Sequence, residues 1–363
     1  MILSPSPEVL SAFGNYEPDL PDHSPGEMVV EPLGGGLINH TYKVCSEFKT
    51  PFILQCINKH VFQDPTAVQE NYIHIWEYAQ YESTRLRIPE PRYCGESITL
   101  FVDDDENYWR AFEYIGNTVT IPSASTKNQA ITTAGAFAKF TAAFHDFHTE
   151  LLKNVIPGFH DLGLRYAQFE ESLKGEYYER MSKAMSLVDE LKKRERYKHF
   201  YEIMTESPDD FPLRVMHHDA KIANVLFNKK NGRVICPIDL DTVMPGYFFS
   251  DLGDMIRSMA CINDEDSREF DRIKIRKDYY NAIVSNYLSV LGNQLTASEK
   301  KYIHYAGLLM VYMQALRFLT DYLNGDTYYR TNYPDQNFDR AMNQYVLLMR
   351  LEEWLLPDSP TNG

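Results

Sequence analysis

The sequence predicts an α+β protein with two lobes, a small antiparallel sheet at the N-terminal end and a larger, mostly helical part after it. Three observations carry this. The chain has 363 residues, more than one typical domain. Short β-branched and aromatic runs separated by turn residues are concentrated between Met28 and Ile115. Beyond Gly116 the apolar residues recur three and four apart, as on helices.

Residues 1–26 are rich in Pro, Ser and Asp and read as a loosely ordered arm or a short capping helix. Residues 27–116 form the predicted sheet lobe. Val29-Val30, Thr41–Val44 and Pro51–Ile57 read as three strands, the first two joined by the glycine turn Gly34-Gly35-Gly36. A helix is expected from Pro65 to Leu86, with proline in its first turn. Strands near Ile98–Val102 and Tyr108–Ile115 follow, joined by the acidic turn Asp103–Glu106. Residues 117–363 form the helical lobe. Phe137, Phe140, Phe144 and Phe147 mark one face of a helix over 128–148, and helical periodicity returns over 170–204 and 270–355.

Composition excludes some functions. With 36 basic against 51 acidic residues, net −15, the chain is not a general nucleic-acid binder or a protein of anionic membranes. The apolar stretch Tyr305–Leu319 contains Gln314 and Arg317 and is too short to span a bilayer. The five cysteines form no C-x-x-C pair and read as reduced thiols. No Lys or Arg precedes Lys43, and Pro5 and Pro7 break the opening residues, so neither a secretory signal nor a mitochondrial presequence is expected. A cytoplasmic protein with no obligate protein partner is the expectation.

Chemistry enters at Val215–Phe227. Phosphoryl transfer to a hydroxyl needs a carboxylate that orients or accepts the hydroxyl proton and, beside it, an oxygen ligand for Mg²⁺. Asp219 fits the base and Asn224, five residues on, fits the ligand. Asp and Asn in loops also commonly cap helices or make turns. A second element counts against that reading. After a hairpin turn at Asn231-Gly232, the apolar strand Val234–Ile238 ends in Asp239, and a carboxylate at a strand end is well placed to hold Mg²⁺ on ATP phosphates. Gly34, Gly35 and Gly36, with Asn39 and Thr41 behind them, would let backbone N–H groups approach phosphates; a plain hairpin turn is the alternative. Arg317, the only charge from Tyr305 through Thr320, needs a partner, either an internal carboxylate or a bound substrate.

His217-x-Asp219-x-Lys221-x-x-Asn224 followed by Ile238-Asp239 resembles the catalytic and metal-binding loops of the aminoglycoside phosphotransferase and choline kinase group, relatives of the protein kinases. The resemblance implies a protein-kinase-like fold with ATP and Mg²⁺ as cofactors. It makes Asp219 the catalytic base, gives Asn224 and Asp239 the metal, and turns Lys221 toward the transferred phosphate. Asp251 would stabilise the catalytic loop, and the backbone at Glu113 and Ile115 would meet adenine. Gly35–Tyr42, Ile238–Gly246 and Arg317–Leu323 with Gly325-Asp326 are similar to the N-acetylhexosamine 1-kinases within the group. That likeness implies a sugar substrate phosphorylated at its anomeric hydroxyl and held by Arg317 and Tyr328, with Tyr329 as the other tyrosine available. The sequence departs from the pattern at Gln55, where a strand lysine is expected; Lys43 could substitute, and Glu70 is the helix carboxylate that would pair with such a lysine. An aminoglycoside or choline-like acceptor, or a nucleotide-binding pseudokinase, are the alternatives.

Overall fold

In the computed structural model, which describes residues 6–17, 28–33, 38–46, 49–81, 84–175 and 177–357, the chain divides into two compact units. One takes in the chain to Val119 together with Asp146–Pro157 and Leu226–Pro245. The other holds Thr120–His145, Gly158–Val225 and the chain from Gly246 onward. The division expected at Gly116 is therefore interrupted twice, and Asp239 folds with the sheet unit. Gly34, Gly35 and Gly36 lie outside the described residues.

The sheet unit begins with helix α1, Pro7–Tyr16, which settles the choice between arm and helix for these residues. Strands β1 (Met28–Pro32), β2 (His40–Ser46) and β3 (Lys49–Ile57) follow, then helix α2 (Pro65–Tyr81) and strands β4 (Leu100–Val102) and β5 (Tyr108–Glu113). The strands form one antiparallel sheet in the order β1-β2-β3-β5-β4. Because side chains alternate across a strand, the register sorts two faces. One face, with Val44, Phe52, Leu54, Trp109 and Ala111, buries Val9, Ala12, Phe13 and Tyr16 of α1. Tyr16 Oη also donates to the Trp109 carbonyl at 2.8 Å. The opposite face carries Thr41, Gln55, Arg110 and Phe112, and α2 meets it through Tyr72, stacked on Phe112 at 5.9 Å.

Helix α2 opens on Pro65, its first turn capped by Asp64 Oδ1, which accepts from Ala67 N at 3.0 Å. It stops at Tyr81, short of the expected Leu86. The chain then runs extended through Ile88–Pro91, where prolines favour extended backbone, and Tyr72 Oη donates to the Pro89 carbonyl at 2.7 Å. Strand β6 (Thr118–Val119) pairs with Phe227-Asn228 of a later hairpin, Thr118 facing Asn228.

In the helical unit, α3 (Lys127–Ala143) starts on a capping box between Thr126 and Gln129. Helices α4 (Leu162–Ser172), α5 (Tyr178–Lys192) and α6 (Arg196–Thr205) precede strand β7 (Arg214–Met216). The hairpin of β8 (Val225–Asn228) and β9 (Val234–Pro237), which folds with the sheet unit from Leu226 on, turns at Gly232, whose φ of +65° suits glycine. After β10 (Met244–Gly246) come α7 (Phe249–Met259), α8 (Lys277–Leu291), α9 (Ala297–Lys301), α10 (Tyr305–Leu323) and α11 (Gln336–Leu355). Helix α10 is the hub of this unit: nearly all its residues are buried, and α4, α7 and α11 pack on it. A small antiparallel-sheet N-lobe and a mostly helical remainder make this the protein-kinase-like, α+β fold that the sequence predicts. Among the described residues no helix is long and apolar enough to cross a membrane. All five cysteines are unpaired thiols, Cys236 and Cys261 buried.

Candidate active site

The loop after β7 carries the first group of predicted residues. His217 is fully buried against the rings of Phe137 and Phe140, at 5.0 and 5.9 Å, so the phenylalanine face of α3 seats the catalytic motif. Phe147 leaves that face and packs edge-on against Tyr78 of α2, because α3 ends at Ala143. His217 Nδ1 lies 3.3 Å from Asp219 N, which donates to it. His218 adopts a left-handed backbone, φ +64°, immediately before Asp219, a conformation uncommon outside glycine and held here by its surroundings. Asp251 near the start of α7 supplies them: its two carboxylate oxygens accept from His217 N at 3.0 Å and His218 N at 2.8 Å. Burial pushes the Asp251 carboxyl up to about 7, while these two donors pull the other way. The anchoring role expected of Asp251 has its geometry.

Asp219, Lys221 and Asn224 come together. Lys221 Nζ lies 2.8 Å from Asp219 Oδ2, and Asn224 Nδ2 donates to that same oxygen at 2.8 Å and to the Asp219 carbonyl at 3.0 Å. Burial raises the Asp219 carboxyl. Lys221, His217 and Asn224 together outweigh it and hold the carboxyl below its ordinary value. Its side chain keeps 30% of its surface, enough for a hydroxyl to reach. A carboxylate only accepts, so Asn224 must turn its NH₂ toward Asp219, leaving Oδ1 as an oxygen that can ligate a hard cation. Asp239 sits in the sheet unit, where β9 gives way to a 3₁₀ turn, with left-handed backbone at φ +63°.

Gly246, in the Met244-Pro245-Gly246 string, has a packing role. A Cβ there would fall 2.7 Å from His218 Cε1, so only glycine lets this chain pass beneath the residue before Asp219.

A cavity of about 340 Å³ lies in the same helical unit, among α4, the C-terminal half of α10 and Thr327–Tyr329. Arg317 and Tyr328, both predicted, line it, as does Tyr329. The Arg317 guanidinium lies over the rings of Phe159, Tyr329 and Tyr328, at 4.9, 5.7 and 5.9 Å, and Nη1 donates to Gln314 Oε1 at 3.2 Å. Among the described residues it has no carboxylate partner. Arg165, which the sequence did not single out, is a second cation on the wall; burial and Arg317 bring it down to about 10, so it stays charged at neutral pH. The two carboxylates of the wall are engaged. Asp321 accepts from the backbone N–H groups of Thr327, Tyr328 and Tyr329 at 2.8–2.9 Å, and Glu171 pairs with Lys174 at 2.7 Å. Phe159 and His160 join the cavity to the catalytic loop: Phe159 stacks on His160 at 4.6 Å, and His160 lies 5.1 Å from the His218 ring. Burial, with His218 and Arg317 adding to it, keeps His160 neutral, its pKa lowered.

In the sheet unit, Asn39 and Thr41 belong to a polar chain. Asn39 Nδ2 donates to Asp241, Asp241 pairs with Arg110, Arg110 donates to Gln55 Oε1, and Gln55 Nε2 donates to Thr41 Oγ1 at 2.8 Å. The buried cation missing from β3 therefore stands on β5, at the position paired with Gln55. A lone Arg in the apolar strand Tyr108–Glu113 was its sequence signal. Lys43 is engaged elsewhere, 3.1 Å from Glu31 and over the Tyr114 ring, and Glu70 pairs with Lys153. Glu113 spends its N–H on the Glu90 carbonyl at 2.8 Å and its carboxylate on Arg87 at 2.5 Å; the Ile115 carbonyl accepts from Thr118 Oγ1 at 2.6 Å.

The Asp219 carboxylate thus lies between a lysine and an amide, on a loop held from behind by the buried Asp251. Residues 29–278 match the model of the phosphotransferase enzyme family APH, more than half of the chain, and the chain belongs to that family. Its fold is similar to an aminoglycoside phosphotransferase from Alicyclobacillus acidocaldarius (14% identity, 89% of this chain and 91% of that one, TM-score 0.58). It is similar too to a microcompartment-associated aminopropanol kinase (16%, 96% and 97%, 0.58) and to the amicoumacin kinase hAmiN solved with AMP-PNP and Ca²⁺ (13%, 94% and 93%, 0.54).

Proposed function

We propose that the chain is an ATP-dependent kinase of a small sugar, transferring the γ-phosphoryl group to the anomeric hydroxyl of an N-acetylhexosamine. The observation that carries the sugar reading is the cavity wall. A choline-like or aminoglycoside acceptor is a cation and needs free carboxylates or open aromatic faces. Here both carboxylates are engaged, two guanidiniums are charged, and the three ring faces already hold Arg317. That wall presents a second cation with guanidiniums where it would need an open ring face, and offers donors to hydroxyl and amide oxygens. A volume of about 340 Å³ sits at the lower end of ligand pockets, about 300–1,000 Å³, and suits a monosaccharide.

Asp219 orients the acceptor hydroxyl and takes its proton, and Lys221, paired with Asp219, places a cation where charge develops on the transferring group. A divalent cation, Mg²⁺ by the hard-oxygen character of the donors, would supply charge neutralisation of the phosphates; the candidate ligands are Asn224 Oδ1 in the helical unit and the Asp239 carboxylate in the sheet unit. The amicoumacin kinase, solved with a nucleotide analogue and a divalent cation, is consistent with such a pair of cofactors.

The test is phosphorus NMR of the protein with ATP, Mg²⁺ and N-acetylglucosamine or N-acetylgalactosamine, which separates a 1-phosphate from a 6-phosphate. Choline and kanamycin compete in a parallel ATP-consumption assay. A 1-phosphate signal is expected. ATP turnover with choline or kanamycin and none with either sugar overturns the reading.

A further inference from the structure

Arg110 is 2% exposed; its guanidinium lies over the rings of Tyr72 and Phe112, at 5.6 and 5.7 Å, and among the described residues its Nη1 has no hydrogen-bond acceptor. The rest of its fork is well used: Nε and Nη2 donate to Gln55 Oε1 at 2.9 and 2.5 Å, and Nη2 also pairs with Asp241. A charged donor buried without an acceptor is costly, and native proteins rarely keep one unless something outside the fold completes it. Gln55 and Asp241, with the rings of Tyr72 and Phe112, hold the guanidinium plane, and among the described residues Nη1 is the part of it left without an acceptor. A fixed guanidinium edge matches the oxygens of a phosphate group. Cross-strand pairing puts Arg110 beside Gln55 and on the sheet face that also carries Thr41. The other cation of this face, Lys43, is held by Glu31.

We propose that Arg110 is the phosphate-binding cation of the nucleotide site, reaching the nucleotide phosphates through Nη1 from β5 while Gln55 occupies the β3 position and orients it. Asp241 has a second consequence. It lies two residues after Asp239, in the 3₁₀ turn Leu240–Thr242, so its pairing with Arg110 and Asn39 fixes the turn that presents the metal-binding carboxylate. This inference rests on the reading of the chain as an ATP-dependent phosphotransferase and is independent of the acceptor.

The experiment is titration calorimetry of ATP, ADP and adenosine with Mg²⁺ and no acceptor, on the wild type and three variants. R110K keeps a cation against Asp241 but loses the fork. R110M/D241N removes both charges together, so neither is left buried alone. Q55K/R110Q moves the cation across the register to β3. Expected are a loss of ATP affinity of about ten- to hundredfold in R110M/D241N, a smaller loss in R110K, and recovery toward wild type in Q55K/R110Q, with adenosine affinity changed less than about twofold throughout. An ATP-to-adenosine affinity ratio equal to the wild type's in every folded variant overturns the proposal; R110K, which retains the ion pair, guarantees a folded comparison. A wild type that binds no ATP at all refutes the nucleotide reading itself, a distinct outcome.

Discussion

Replacing Gly253 by alanine tests whether the catalytic loop is held from behind. Gly253 lies on α7 where that helix crosses α10, and a Cβ there would stand 2.6 Å from Met310 Cβ and closer still to the Ala306 carbonyl oxygen. The carbonyl belongs to helix backbone and has no rotamer to give way, so the two helices must separate. Overpacking of this kind costs about 1–3 kcal/mol. For a unit of some 150–250 residues that lowers the melting temperature by about 2–4 °C per kcal/mol. The separation has a second effect. Asp251, two residues earlier on α7, accepts the His217 and His218 N–H groups, so displacing α7 loosens the left-handed backbone before Asp219. Catalysis should therefore fall more than nucleotide binding. Differential scanning calorimetry and steady-state kinetics on Gly253→Ala, with Gly116→Ala as a control at a site where a Cβ meets nothing, check both effects. A Gly253→Ala enzyme with wild-type melting and kcat refutes the argument.

Asp219→Asn keeps the shape of the loop and removes the base; kcat should drop by about 10²–10⁴ with ATP affinity retained, read by coupled assay and calorimetry. Because Lys221, His217 and Asn224 hold the Asp219 carboxyl below its ordinary value, the carboxylate stays ionised through neutral and mildly acid pH. The stability it contributes is present above its unfolded value, about 3.9, and is lost as pH falls through the folded one; urea melts of wild type and Asp219→Asn between pH 2 and 6 should converge at the acid end. Arg317→Met should raise the acceptor KM by about tenfold or more while the KM for ATP stays put. Glu299, fully buried, receives Arg214 at 2.9 and 2.7 Å, so Glu299→Gln strands a buried guanidinium and should cost about 3–5 kcal/mol in denaturant melts.

The sequence by itself determined the elements whose signals are local. Alternating β-branched runs, helical phenylalanine spacing and the Asn231-Gly232 turn depend on neighbours in the chain, and so does the spacing of Asp219, Lys221 and Asn224, which meet within one loop. Helix α1 carried such a signal in Val9, Ala12, Phe13 and Tyr16, although the prolines and acidic residues around it also suited an unattached arm. Only the tertiary structure decided the pairings that span the chain. Arg110 finds Asp241 across 131 positions, and Arg214 finds Glu299 across 85. Gly246 is required by a histidine that precedes it by 28 positions. A buried charge or a close approach fixes that some partner must exist, because desolvation and hard-core repulsion are strong. Which partner it is depends on how the elements pack, and no periodicity along the chain records that. The same reason put the sheet unit's cation on β5, where strand register rather than motif spacing set it beside Gln55.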